Sequence, residues 1–169
     1  HFAKADDELT LAQHQGKLHR NFQGYSTHAD CDLIAMGVTA IGHVGSTYSQ
    51  NVRALDDYYR ALEADALPIF RGIALSADDQ IRRSIIQQLM CNFELRFAAI
   101  DVEFAINFRD YFAWELDALA PLAEDGLIDI GEEGLRVTRR GRLLIRNICM
   151  VFDHYLNRDT AQRRYSKVI

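Results

Sequence analysis

A change of grammar partway along the chain constrains its fold more than any single motif. Up to about Ala66 the order is apolar run, glycine-rich loop, amphipathic helix; beyond Pro68 it becomes a succession of helices interrupted by one short alternating pair. The first pattern is that of an α/β unit, in which a strand buried on both faces feeds a loop and a covering helix. The strand candidate is Asp32 to Ile41 in DLIAMGVTAIGHVG, the loop is Gly42 to Gly45, and the helix is Gln50 to Ala66 with Val52, Leu55, Tyr59 and Leu62 on one side. Upstream, Asp6, Asp7 and Glu8 supply a cap and an acidic first turn for a helix reaching about Gln15, which Gly16 closes. Lys17 to His28 carries Phe22 and Tyr25 but no helical stripe, and predicts a strand with its outgoing loop.

Beyond Pro68, Ser76 followed three residues later by Asp79 predicts a capping box and a helix to about Cys91. Helices follow at Ile100 to Asn107 and Phe108 to Glu124, the second with Leu116, Leu119, Ala120 and Leu122 inward and Gly126 at its end. Leu127 to Ile130 and Leu135 to Thr138 alternate about a glycine-flanked turn and predict a hairpin. Arg139 to Leu156 predicts a final helix with Leu143, Leu144, Ile148, Val151 and Phe152 inward. The expected fold is therefore α+β: residues 1–66 as the end of an α/β domain, and residues 67–169 as a mainly helical, winged-helix-like domain with a small hairpin.

Composition limits the function classes. No apolar run approaches the roughly 20 residues of a membrane span and nothing at the start resembles a signal peptide, so no membrane span and a cytoplasmic location are expected. The chain opens HFAKADDEL, which reads as the end of a strand begun upstream, so a fragment of a longer protein is expected. Cys31, Cys91 and Cys149 lie too far apart in sequence for the close pairs of zinc or iron–sulfur motifs, and are expected to be reduced and mostly buried. The net charge of −5 hides an asymmetry: Arg136 to Ile169 holds nine Lys/Arg against two Asp, while the preceding residues are acidic. That end must face nucleic acid, an anionic small molecule or the acidic part of its own chain.

The candidate motifs each carry two readings. Gly37, Gly42 and Gly45 match neither the dinucleotide fingerprint nor a phosphate loop with its lysine, and suit a strand bending close to a neighbour's backbone. His14, His19, His28 and His43 cluster in sequence with Asp30 and Cys31, yet no spacing matches a ligand pair, and no metal site is expected. Gln23 is a polar residue in NFQGYST, a segment that otherwise looks buried, and inside a barrel such a residue points at a ligand. Arg136, Arg139, Arg140, Arg142 and Arg146 have the look of a DNA-binding wing and helix, but the acidic chain and the helix's core-facing positions argue against nucleic acid.

The strings LHRNFQGYSTHADCDLIAMGVTAIGHVGSTYSQN, IRRSIIQQLMCNFEL and GRLLIRNICMVFDHYL, with the closing YSKVI, resemble the C-terminal part of oxygen-independent coproporphyrinogen III oxidases of the radical-SAM, HemN type. The resemblance runs the length of the chain. It implies the last strands and helices of a radical-SAM partial (β/α) barrel followed by the helical domain. It also implies oxidative decarboxylation of two propionates of coproporphyrinogen III to give protoporphyrinogen IX, with S-adenosylmethionine, a 4Fe–4S cluster and an electron acceptor. The cluster ligands of that family form a CxxxCxxC motif absent from this chain, so the fragment alone is expected to be inactive. Residue by residue, the resemblance implies that Ile41 lies against S-adenosylmethionine and that Gln23 lines the active site. Haem chaperones of the HemW kind share the barrel but differ at NFQGYST and GVTAIGHVG, and the role of His43 stays open. The resemblance is compatible with a monomeric full-length enzyme, whereas unpaired apolar strands from Phe22 to Val44 predict self-association of the fragment. Arg163, Arg164 and Lys167 are candidates to meet the substrate's propionates or to clamp the helical domain onto the acidic barrel. The alternative from a different class is a stand-alone haem- or nucleic-acid-binding module.

Overall fold

The computed structural model describes residues 3–29 and 31–158. Arg163, Arg164 and Lys167 lie outside the described residues. Helix α1, Glu8–His14, is capped by Asp7, whose carboxylate accepts from the Leu9 amide at 2.9 Å. The single strand expected over Lys17 to His28 is instead a hairpin of β1, His19–Asn21, and β2, Gly24–Ser26. The Asn21 side-chain oxygen accepts from the amides of Gln23 and Gly24, at 2.9 and 3.2 Å. Asn-Phe-Gln-Gly is thus an Asx turn whose flanking aromatics imitate a continuous strand.

The strand expected at Asp32 to Ile41, buried on both faces, does not form. Strands β3, Ile41–Val44, β4, Thr47–Asn51, and β5, Ile69–Ala74, make an antiparallel sheet in the order β3-β4-β5. Gly42 to Gly45 is therefore not a loop after a strand: Gly42 lies within β3, and Gly45 and Ser46 make the tight turn to β4. Helix α2 is Leu55–Glu63, shorter than expected because Gln50 and Asn51 belong to β4. Its apolar side, Leu55, Tyr59 and Leu62, faces solvent. The expected boundary near Leu67 falls inside this sheet, since β5 lies beyond it and pairs with β4.

The remaining residues build the hydrophobic core. Helix α3, Ala77–Asn92, starts at the expected capping box, with Ser76 and Asp79 exchanging side-chain-to-amide bonds. Strand β6, Glu94–Arg96, leads into α4, Phe97–Phe104, which is followed by α5, Phe108–Tyr111, and α6, Ala113–Glu124. Strands β7, Ile128–Ile130, and β8, Gly134–Val137, are the expected hairpin, and β6 adds to it antiparallel to give the order β6-β8-β7. Ile85, Leu89, Leu95, Ile100, Phe108, Phe112 and Phe152 are fully buried between these layers. Phe97 and Phe108 stack with centroids 4.3 Å apart.

The last helix departs from expectation. Gly141–Leu144 is a 3₁₀ turn, and it is followed by α7, Ile145–Met150, and α8, His154–Arg158. The tighter turn shifts the phase of the helix, so Ile148 and Phe152 are buried while Leu143 stands 88% exposed. Among the described residues no helix is long and apolar enough to cross a membrane.

Candidate active site

The segment from Asp32 to Ala40 has little regular structure, and backbone bonds fix it. Leu33 exchanges two backbone hydrogen bonds with His43, of 2.7 and 2.8 Å. Buried Asn51 donates through its side-chain amide to the carbonyls of Ala35 and Gly37, and the Tyr58 hydroxyl of α2 accepts from the Gly37 amide at 2.9 Å. Asp32 accepts from the Gly45 amide at 2.8 Å. A Cβ on Gly42 would lie 3.0 Å from the Leu33 carbonyl oxygen, so the bare backbone lets this arm press against β3. Gly45 takes φ +54°, the left-handed geometry of its tight turn. The glycines serve the chain's own backbone.

Ile41 opens β3 opposite Gln50 and is half-buried. Gln23 sits at the tip of the β1–β2 turn with its side chain exposed, contrary to the buried setting that its sequence context suggests. The two hairpins meet through their neighbours: Phe22 packs edge-on against Tyr48, with centroids 5.7 Å apart, and Tyr48 lies 4.7 Å from the His43 ring. Between the hairpins and α3 lies a cleft of ≈300 Å³, bordered by Phe22, Leu33, His43, Tyr48, Arg83 and Met90 among others. Gln87 fastens α3 to β1, accepting from the Arg20 amide and donating to the Arg20 carbonyl. Burial, then the nearby Arg83 charge, holds the His43 imidazole below its ordinary pKa, with Asp32 opposing and His19 adding to the effect. Ile41 and His43 share one face of β3 by strand alternation.

No group of three His, Cys, Asp or Glu that could hold a metal ion occurs among the described residues. Cys31 is exposed, contrary to expectation, whereas Cys91 and Cys149 are buried. Burial pushes the Cys91 thiol up to about 11 and the Cys149 thiol up to about 12, so both are protonated at neutral pH.

The HemN C-terminal domain family matches residues 75–144. Similarity extends past the domain on both sides. The oxygen-independent coproporphyrinogen III oxidase of Escherichia coli (strain K12) is 52% identical over 169 residues, which cover 100% of this chain and 37% of the relative. The protein of that name from Pseudomonas aeruginosa is 50% identical, with 100% and 36% covered, and that from Synechocystis sp. is 47% identical over 173 residues, with 100% and 37% covered. The solved structure of coproporphyrinogen III oxidase (HemN) from Escherichia coli, described as a radical SAM enzyme, matches with a TM-score of 0.88 at 53% identity, covering 91% of this chain and 36% of that one. The chain thus spans a little over a third of the length of these relatives.

Consecutive residues of α3 serve opposite sides. Arg82 donates to Asp78 at 2.8 Å, to Glu115 at 2.7 Å and to the Phe152 carbonyl at 3.1 Å, with its guanidinium 5.1 Å from the Phe112 centroid. Arg83 turns to the cleft, its guanidinium 5.6 Å from the Tyr48 centroid. Neither Arg83 nor Asn51 stands out in the sequence; the adjacent pair Arg82-Arg83 on a helix with Ile81 and Ile85 inward is the one signal that two faces are being served. A second, wider groove lies between α4, α5 and the β7–β8 turn, where Arg109 donates to the carbonyls of Gly131 and Glu132. It contains neither Gln23 nor Ile41, and Arg96, Arg109 and Arg136 alternate there with Glu94, Asp101 and Glu132.

Proposed function

We propose that this chain is the C-terminal portion of an oxygen-independent coproporphyrinogen III oxidase, which converts coproporphyrinogen III to protoporphyrinogen IX by oxidative decarboxylation of two propionates. The observation that carries the reading is the end-to-end identity of 47–52% to three relatives of that name, supported by the fold match to a structure described as a radical SAM enzyme. In that enzyme a 4Fe–4S cluster and S-adenosylmethionine supply the one-electron chemistry. This chain's own thiols do not fit the cluster: two are buried and protonated, and Cys31 stands alone at the surface. The ligands then belong to the part of the relatives' length that this chain does not span, and coproporphyrinogen III, S-adenosylmethionine and an electron acceptor are partners of the longer protein. A cytoplasmic, monomeric enzyme fits the reading.

The residues here bind and orient. Ile41 offers an apolar, half-buried surface and strand backbone to the adenosyl end of S-adenosylmethionine. Gln23, held at the tip of an Asx turn, offers an amide to the active site. We place the division between the barrel's last elements and the helical domain after β5, near Leu75, rather than near Leu67; the pairing of β5 with β4 and the family match from residue 75 support this. The order α3, β6, α4, α6, β7, β8 with sheet order β6-β8-β7 supports a winged-helix-like reading of the domain. Its third long helix, α6, carries Glu115, Asp117 and Glu124 and no Lys or Arg, which speaks against major-groove binding and for a role inside an enzyme.

The test is anaerobic turnover. Full-length protein, reconstituted and reduced with S-adenosylmethionine, is expected to form protoporphyrinogen IX and 5′-deoxyadenosine from coproporphyrinogen III, and the 169-residue chain neither. A retarded DNA band or a haem Soret band from the isolated chain, with no turnover from the longer protein, would replace this reading by that of a binding module.

A further inference from the structure

Arg83 and Arg82 are neighbours with opposite circumstances. Arg82 has two carboxylates and a carbonyl. Arg83 pairs with no carboxylate among the described residues, and its Nε is buried without a hydrogen-bond partner. A guanidinium is always charged and presents five donors, so a half-buried one without an acceptor is uncommon. Across the same cleft, His43 Nε2 is also buried without a partner. Arg20, His19 and His28 complete a polar rim, and no Asp or Glu occurs among the described residues that line the cleft. Phe22, Leu33, Ile86 and Met90 supply apolar wall, with Asn21, Cys31, Tyr48 and Gln87 between them.

From this geometry we propose that Arg83, with His43 beside it, receives a carboxylate carried on a hydrocarbon arm. The cationic end suits the carboxylate and the apolar walls suit the stem. Burial and the Arg83 charge both disfavour protonated His43, and an anion between the two relieves that repulsion. The cleft adjoins the proposed active-site residues, since Phe22 precedes Gln23 and His43 lies two residues along the strand face from Ile41. The proposal rests on the coproporphyrinogen oxidase reading for its ligand, and two carboxylates of that reaction qualify: a tetrapyrrole propionate and the methionyl carboxylate of S-adenosylmethionine.

Binding to the full-length protein, measured without turnover, separates them, so an inactive preparation leaves the result readable. Wild type is compared with R83Q for coproporphyrin III against its tetramethyl ester, and for S-adenosylmethionine against its decarboxylated analogue. The carboxylate form of one pair is expected to bind the wild type at least about tenfold more tightly, as one charge-assisted bidentate contact provides, and R83Q is expected to abolish that preference. The pair affected names the ligand. If R83Q does not fold, R83K, which keeps the charge but loses the fork, is expected to reduce the preference severalfold. Equal weakening of both members of each pair, or preferences unchanged in both variants, overturns the proposal.

Discussion

The sharpest consequences at the scale of single residues follow from Arg82 and Asp79. The Arg82 side chain is 14% exposed and that of Glu115 8%, with 2.7 Å between them. Burial works against the Arg82 charge, but the hydrogen bonds to Asp78 and Glu115 outweigh it and hold the guanidinium above its ordinary pKa. Removing Glu115 leaves the guanidinium to Asp78 and the Phe152 carbonyl and takes away one charge-assisted hydrogen bond, so Glu115→Ala is expected to lower unfolding stability by about 2 kcal/mol, read from the urea midpoint at unchanged slope. Burial raises the Asp79 carboxyl, and the bonds from the Ser76 hydroxyl and amide and the Tyr155 hydroxyl, with the nearby His154, more than offset it. The folded pKa is therefore depressed. The stability from this group is present above the unfolded value of about 3.9 and is lost as pH falls through the folded value. In Asp79→Asn the acid limb of a stability–pH profile is expected to flatten; an unchanged limb would show that the box contributes nothing through charge.

The β3–β4 hairpin is the element that holds the candidate site, and its fit depends on Gly42. A side chain there meets the Leu33 carbonyl oxygen and the Ala35 amide at 3.0 and 3.3 Å, so Gly42→Val is expected to push the Asp32–Ala40 arm off β3. The two Leu33–His43 backbone bonds then lose protection in amide hydrogen exchange, while the α3–α6 core keeps its own. Ser76→Ala removes the other half of the capping box and is expected to cost about 1 kcal/mol, detectable as a lower melting temperature. The local turns were legible: Ser76 with Asp79 and Gly126 at a helix end all occur where their chemistry placed them. The Asx turn at Asn21 was legible in principle and masked by Phe22 and Tyr25, whose aromatic character suits a strand equally well.

Across the whole molecule, burial is uneven. The core lies between Ile81 and Phe152, whereas Phe22, Ile34, Met36, Leu55, Tyr59, Leu67 and Phe70 are exposed. So much exposed apolar surface predicts association. The isolated 169 residues are expected to sediment above monomer mass in a concentration-dependent way, and the double variant Tyr59→Lys, Phe70→Lys to shift towards monomer; a monomer at every concentration would remove the self-association expectation.

The helix caps, the glycine-ended helices, the β7–β8 hairpin and the family resemblance were readable from the residues alone, because each depends on positions a few apart or on strings read directly. Folding had to show that β5 joins β4 across the expected boundary, that the apolar side of α2 meets water, that Gln23 stands on a turn tip and that Arg83 faces a cleft while Arg82 is neutralised in the core. One cause underlies all four. Periodicity says which residues share a face, but what that face meets is set by partners far away in sequence.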